Sequence, residues 1–254
     1  MTNTIRHLAT ALSLGLLLIP AASAQAQWGG LKGQFIYDGK APEPKKLDAN
    51  KDPQVCQKHP LVDESLVVDP KSSGVANIVV YVRSRDVPIA PAYEKLKGTK
   101  VVMDNKMCRF EPHVAGLWVE QQLELANSDA VGHNSNVQHP FEPTNPLLPP
   151  GAKIDHGFTV PRPIPVPVSC NIHPWMQGWI LVSPSPYFAV TDKEGKFEIK
   201  DLPAQELEFQ FWQEKAGYLV AKSDWERGRV TLKIKDGETT DLGTLKLSPK
   251  LFEK

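Results

Sequence analysis

Hydrophobic and polar residues alternate with a period of two along much of the chain, which is the pattern of strands with one buried face. The clearest alternation runs from Leu117 to Leu125 and from Glu206 to Phe211. Shorter strands are predicted over six further segments: Leu31 to Tyr37, Ile78 to Arg83, Lys100 to Met103, Trp179 to Val182, Phe197 to Ile199 and Val230 to Ile234. A helical pattern is confined to Tyr93 to Leu96, so the chain is predicted to be all-β.

Between Pro161 and Pro167 every second residue is proline. Alternate backbone N–H groups of a strand point to the same side, so one edge of this segment lacks donors while the other edge can still pair. We expect an edge strand here that is protected from pairing with other chains. A polyproline linker is the alternative.

The first residues have the pattern of a secretory signal peptide. Arg6 and His7 precede an apolar run from Leu8 to Ile19, and small residues follow from Ala21 to Ala26. The apolar run is shorter than the about 20 residues needed to span a bilayer. We expect residues 1–26 to be removed and the mature protein to be periplasmic, without a membrane span.

Composition narrows the function classes and leaves one cysteine over. The 254 residues carry 29 basic and 29 acidic side chains, a balance that argues against nucleic-acid binding. An exported protein meets oxidising conditions, and three cysteines cannot all pair with one another. We predict that Cys56 and Cys108 form a disulfide and leave Cys170 as a thiolate; two free buried thiols are the alternative.

The segment from Cys170 to Met176 holds the strongest chemical signal. Cys170, His173 and Met176 offer a thiolate, an imidazole and a thioether at intervals of three residues, a set that suits copper in both of its common oxidation states. A trigonal site with a weak axial Met needs a second histidine. His133 is the best candidate because it follows a predicted strand, and Asn134 beside it can hydrogen-bond to the Cys170 loop.

Other metals fit the histidines less well. Structural zinc at a Cys and two His would not require Met176. His113, His139 and His156 could serve a second metal, but none belongs to a His-x-His pair, and we expect surface or loop positions for them. A copper oxidase or nitrite reductase needs a second copper site, so the sequence predicts that the chain is not an enzyme.

These motifs resemble the cupredoxins, and amicyanin in particular. Residues 170–182 are similar to its ligand loop, residues 101–127 to its first strands, and Gly132-His133-Asn134 to its His-Asn pair. The resemblance implies a Greek-key β-sandwich over residues 97–184. It also implies one type 1 copper ion held by the two histidines, the cysteine and the methionine already identified.

The flanking sequence resembles a second family. Residues 189–203, which include Thr191-Asp192 and Phe197, are similar to the carboxypeptidase regulatory-like repeat, a small transthyretin-like β-sandwich. Its opening strands are similar to residues 31–39 and 76–82. We hypothesise that residues 27–96 and 185–254 form one sandwich into which the cupredoxin is inserted. Two successive domains are the alternative.

The resemblance implies one-electron transfer in the periplasm. Its partners would be redox proteins such as a c-type cytochrome or a periplasmic dehydrogenase, and we expect a monomer. His173, Pro174 and Trp175 are predicted to form an apolar, partly exposed rim for transient docking. Copper sequestration or delivery by the same ligands is the alternative function.

Overall fold

The computed structural model describes residues 27–253, so the segment predicted to be a signal peptide lies outside the described residues. None of the helices between residues 27 and 253 is long and apolar enough to cross a bilayer. The helices are α1 (Pro53–Cys56) and three 3₁₀ turns, Pro91–Leu96, Glu226–Gly228 and Pro249–Phe252. The strands are β1 (Trp28–Tyr37), β2 (Val79–Val82), β3 (Lys100–Lys106), β4 (Arg109–Glu111), β5 (Val114–Trp118), β6 (Gln122–Asn127), β7 (His133–Asn134), β8 (Asn136–Val137), β9 (Leu147–Leu148), β10 (Lys153–Gly157), β11 (Val166–Ser169), β12 (Gln177–Ser183), β13 (Phe188–Val190), β14 (Lys196–Pro203), β15 (Glu206–Gln213), β16 (Gly217–Tyr218), β17 (Arg229–Lys233) and β18 (Thr239–Leu247). The all-β expectation is confirmed.

The central part of the chain forms two four-stranded sheets. One has the order β10-β6-β3-β4 and the other β5-β12-β11-β8. Their inner faces enclose one apolar core that includes Leu117, Leu125 and Val168, together with Cys170 and Met176. The ligand loop between β11 and β12 therefore starts and ends on strands that are anchored in this core.

The N-terminal and C-terminal parts of the chain pair with each other. Strand β1 lies between β14, to which it is antiparallel, and β18, to which it is parallel. Strand β2 lies between β13 and β15. Both sheets bury a common core that contains Phe35, Phe209 and Phe211. The assignment of these strands to a transthyretin-like module remains a prediction, as do the domain boundaries.

Two of the predicted strands differ in detail. The alternating segment from Leu117 to Leu125 is divided between β5 and β6 by a turn, in which the Gln121 N–H donates to the Trp118 carbonyl. In the proline-rich segment only β11 is a strand, and it lies between β12 and β8 instead of at an edge. Strand β8 has only two residues, so the expected edge is covered just where β11 leads into the ligand loop.

An N-terminal arm, defined here as residues 47–61, packs against the end of the central sandwich. The Cys56–Cys108 disulfide is present and ties α1 to the turn between β3 and β4. Both of its cysteines are fully buried, with Ala49 and Leu61 in the same small cluster. Trp175 of the ligand loop packs against that cluster and donates from Nε1 to the Cys108 carbonyl at 3.0 Å. The arm is thereby held directly over the ligand loop.

Candidate metal centre

Three predicted ligands meet at one end of the central sandwich. His133 lies in β7, while Cys170 and His173 lie in the loop between β11 and β12. One ligand atom from each of the three residues falls within 4.8 Å of the others, and all three residues are buried. The Cys170 Sγ is 3.9 Å from His133 Nδ1 and 3.7 Å from His173 Nδ1, so both imidazoles direct the same nitrogen toward the thiol.

These separations fit a single metal ion. With a metal–sulfur bond of about 2.3 Å and metal–nitrogen bonds of about 2.0–2.1 Å, a trigonal angle places sulfur and nitrogen about 3.8 Å apart, whereas a tetrahedral angle gives about 3.6 Å. The two measured distances lie around the trigonal value. A buried set of two imidazoles and one thiolate is also the donor chemistry that copper favours. The residues therefore fit the copper ion that the sequence predicts.

The fourth predicted ligand, Met176, completes the turn of the loop. Its backbone N–H donates to the His173 carbonyl at 2.9 Å, and its carbonyl accepts from the Cys170 N–H at 3.2 Å. The side chain is 1% exposed and belongs to the same apolar core as Cys170. Its role as an axial ligand remains a prediction.

Asn134 connects the two ligand segments. Its Oδ1 accepts from the backbone N–H groups of Asn171 at 2.8 Å and Ile172 at 3.3 Å, while its Nδ2 donates to Asn145 Oδ1 at 2.6 Å. One buried side chain thus holds the loop that carries Cys170 against the strand that carries His133. Such a link restricts ligand movement when the charge at the centre changes.

Two carboxylates, which the sequence analysis did not identify, orient the imidazoles from behind. His133 Nε2 donates to Asp129 Oδ2 at 3.0 Å, and His173 Nε2 donates to Asp52 Oδ2 at 2.9 Å. Each bond holds the proton on Nε2, so Nδ1 is the nitrogen that can bind a metal once it has lost its own proton, and a carboxylate behind an imidazole makes it a better donor. Asp129 lies only four residues from His133, a proximity that the sequence could have suggested. Asp52 comes from the N-terminal arm, 121 residues away.

The charges of the centre favour a thiolate. Burial by itself raises the pKa of Cys170, but hydrogen bonds from His133 and His173 outweigh it and lower the pKa to about 5. Burial lowers the pKa of His133, and its hydrogen bonds to Asp129 and Cys170 reverse that effect and raise the pKa to about 9. The thiolate is the form of cysteine that binds metals, so the ligand is deprotonated before an ion arrives.

The residues predicted to form the docking rim are exposed unequally. Pro174 is exposed and Trp175 is half-buried beneath the N-terminal arm. His173 is 0% exposed because Asp52 covers its outer nitrogen, so it is not the partly exposed residue that we expected. Among the other histidines, His113 and His139 lie in loops, as expected, although they are buried at 8% and 1% exposure. His156 lies in β10 and is half-buried, so the expected surface or loop position is wrong for it.

Comparison with known proteins gives likeness only over part of the chain. Neither a protein family nor a curated protein matches it. A Cu-containing nitrite reductase from Thermus scotoductus SA-01 is 28% identical over 38% of this chain, which spans 27% of the reductase, at a TM-score of 0.33. A purple cupredoxin from Nitrosopumilus maritimus is 22% identical over 34% of this chain and 99% of its own, at a TM-score of 0.28. A reduced Cu(I) form of amicyanin is 20% identical over 41% of this chain and 98% of its own, at a TM-score of 0.30.

One expectation is corrected by these likenesses. The sequence predicted that the chain is not an enzyme. This prediction is wrong, because the structures that resemble part of the chain include a Cu-containing nitrite reductase, which is an enzyme. A fold by itself does not separate enzymes from other proteins.

Proposed function

We propose that this chain binds one type 1 copper ion through His133, Cys170, His173 and Met176 and passes single electrons between redox proteins of the periplasm. The observation that carries the proposal is the buried group of two imidazoles and one thiol, whose sulfur lies 3.9 Å and 3.7 Å from the two Nδ1 atoms, as a trigonal ion requires. Copper bound there would supply the one-electron chemistry.

The surroundings of the ligands are suited to this role because they restrict rearrangement. Each imidazole has a carboxylate behind it, and Asn134 fastens the ligand loop to β7. Ligands held in this way keep one geometry while the charge of the centre changes by one unit. A constant geometry lowers the reorganisation that accompanies electron transfer.

The docking face that we propose differs from the rim expected from the sequence. Leu147 is 65% exposed and pairs with Asn134 across β7 and β9, and Ile172 is 36% exposed and donates its N–H to the same Asn134. Together with exposed Pro174 they form an apolar surface around the ligand segments. A small surface of this kind suits a transient redox partner such as a c-type cytochrome or a periplasmic dehydrogenase.

The visible spectrum of the mature protein with Cu(II) tests the centre. We expect an intense band near ~600 nm from the copper–thiolate bond, which ascorbate bleaches and reoxidation restores. A Cys170→Ser variant should lose the band, while a Ser169→Ala variant, at the end of β11 next to Cys170, should keep it. A colourless protein that still binds copper would refute the trigonal site and favour sequestration or delivery.

The docking face is tested by electron self-exchange between the reduced and oxidised protein. Leu147→Lys and Ile172→Lys should each slow the exchange at least tenfold, because they place a charge on the contact surface of both molecules. Val220→Lys, at a residue 37% exposed in the C-terminal part of the chain, should leave the rate unchanged. Equal rates in all three variants would place the contact elsewhere.

A further inference from the structure

A cavity of about 250 Å³ lies beside the ligand loop, on the side of Met176. It is built from three separate parts of the chain: the N-terminal arm with the segment that follows it, the central sandwich, and the turn after β15. Each part contributes ionisable groups to the wall, and the cavity has room for an ion with several water molecules. These groups are Asp63, Glu64, Arg109, His113 and Glu214.

His113 is the most unusual group in this cavity because it is buried with one nitrogen unused. Its side chain is 7% exposed, and its Nε2 donates to Glu214 Oε2 at 2.6 Å. Its Nδ1 is buried and has no hydrogen-bond partner within residues 27–253. With Nε2 protonated, the neutral ring presents a free lone pair at Nδ1 to the cavity. A buried polar atom without a partner is costly unless something binds it.

Glu64 faces that free nitrogen. Its Oε2 is 4.0 Å from His113 Nδ1, while its other oxygen contacts Arg109 at 3.5 Å. Burial raises the pKa of Glu64, although His113 and Arg109 oppose the effect. The carboxylate would thus gain from a cation that shares it with the imidazole, because such a cation replaces the water that burial has removed.

The balance of charge selects the sign of the ligand. Three carboxylates line the cavity, those of Asp63, Glu64 and Glu214, together with one guanidinium, that of Arg109. Arg109 also contacts Glu111, which Lys106 pairs from outside the cavity lining. With the imidazole neutral, the cluster carries an excess of negative charge. A cation therefore enters this cavity more favourably than an anion does.

We propose that this cavity is a second metal site, in which His113 Nδ1 and the Glu64 carboxylate hold a divalent transition-metal ion and Glu214 orients the imidazole. One nitrogen and one or more oxygen donors suit Zn²⁺ or Cu²⁺, with water in the remaining positions. An ion with bonds of about 2.0–2.2 Å and a tetrahedral angle needs the two donors about 3.4 Å apart. Glu64 Oε2 and His113 Nδ1 are 4.0 Å apart, and a rotation of the Glu64 side chain would bring them to this distance.

Zinc stoichiometry of the full mature chain, measured by equilibrium dialysis, tests the proposal. We expect two zinc ions per molecule of wild-type protein and one in His113→Gln and in Glu64→Gln. Glu214→Gln should weaken the second site 10–100-fold, because it removes the charge behind the imidazole. His156→Gln is the matched control and should still bind two. If His113→Gln does not fold, Glu64→Gln, at a half-buried residue, decides the outcome.

Co²⁺ separates this proposal from that of the copper centre. A cobalt–thiolate charge-transfer band reports an ion at Cys170, whereas an ion at His113 shows only weak ligand-field bands. Loss of the thiolate band in Cys170→Ser with one ion retained supports two independent sites. If wild-type protein without a thiolate band still binds one ion that His113→Gln abolishes, the copper proposal fails and this one stands. Unchanged stoichiometry in both His113→Gln and Glu64→Gln would overturn the second site.

Discussion

The substitution Asp129→Asn tests whether the carboxylates behind the imidazoles support the metal centre. Asp129 is anchored at three points: its Oδ1 accepts from the Met107 N–H at 2.7 Å, and its Oδ2 accepts from the Cys108 N–H at 2.8 Å and from His133 Nε2 at 3.0 Å. Asparagine keeps one oxygen and turns an NH₂ group toward one of these donors. At least one buried donor then has no acceptor.

The expected losses of stability and of metal affinity follow from the unsatisfied donor and from the removed charge. An unsatisfied buried donor costs about 1–3 kcal/mol, so the metal-free variant should lose about that much free energy of unfolding. Removing a carboxylate behind a ligand histidine lowers metal affinity 10–100-fold, or about 1.4–2.7 kcal/mol. The Asp129 side chain is 7% exposed, which leaves little water to screen or replace it.

Asp52→Asn is the matched comparison. Asp52 makes one bond of the same kind to His173, but its side chain is 35% exposed, so water can replace the lost contact. We expect at most a tenfold loss of copper affinity and less than about 1 kcal/mol of stability from this variant. The effect of Asp129→Asn should therefore be the larger one in both measurements.

The assays are competition for Cu(I) with a chromophoric chelator and urea unfolding of the metal-free proteins. Circular dichroism establishes that both variants are folded before affinities are compared. An Asp52→Asn variant that loses as much affinity as Asp129→Asn would refute the reasoning from burial. Unchanged affinity in both would show that the carboxylates do not act on the metal ligands.

Three further predictions concern pH and stability. The pKa values of about 5 for Cys170 and about 9 for His133 predict how many protons metal binding releases. The number should fall by one as pH rises through 9, where His133 loses its proton, and rise by one as pH falls through 5, where Cys170 gains one. Calorimetry in several buffers measures the number, and the absence of a step near pH 9 would contradict the prediction. Replacing both cysteines of the disulfide, which are 52 residues apart, by alanine should cost about 4 kcal/mol of unfolding free energy in urea, and a loss below 1 kcal/mol would argue against a tethered arm. Gly195→Ala, where φ is 76° and a Cβ would lie 2.0 Å from a carbonyl oxygen of β1, should destabilise the protein more than Gly237→Ala, where φ is 66° and nothing lies within 4 Å; equal melting temperatures would contradict this.

Much of the fold could be predicted because strand formation is a local property. Alternation of apolar residues in segments such as Glu206 to Phe211 depends only on which side chains face a core, and it predicts strands wherever that core lies. The boundary between β5 and β6 was missed because the turn at Gln121 keeps the apolar residues on either side nearly in phase. The proline-rich segment was assigned to an edge because the positions of its backbone N–H donors do not reveal that the short strand β8 pairs with it.

The proposed metal ligands could be identified from the sequence to the extent that they share one loop. Cys170, His173 and Met176 lie within seven residues, so their types and spacing predict a metal site without knowledge of the fold. His133 required the further argument that it follows a strand. The exclusion of enzymes was wrong because it depended on one motif, the His-x-His pair, and a second metal site need not contain that motif.

The sequence by itself determined the all-β class and the loop that offers a thiolate, an imidazole and a thioether, because both depend on residue types and short spacings. The choice of cysteines for the disulfide followed because three cysteines allow one pair and Cys170 belongs to that loop. Tertiary structure alone decided that Asp52 covers His173 and that Glu64, His113 and Glu214 share one cavity. Those contacts join residues that are 49 to 121 positions apart, and such contacts depend on how the strands pack rather than on local preference. The same packing that builds the core therefore sets which side chains can act together.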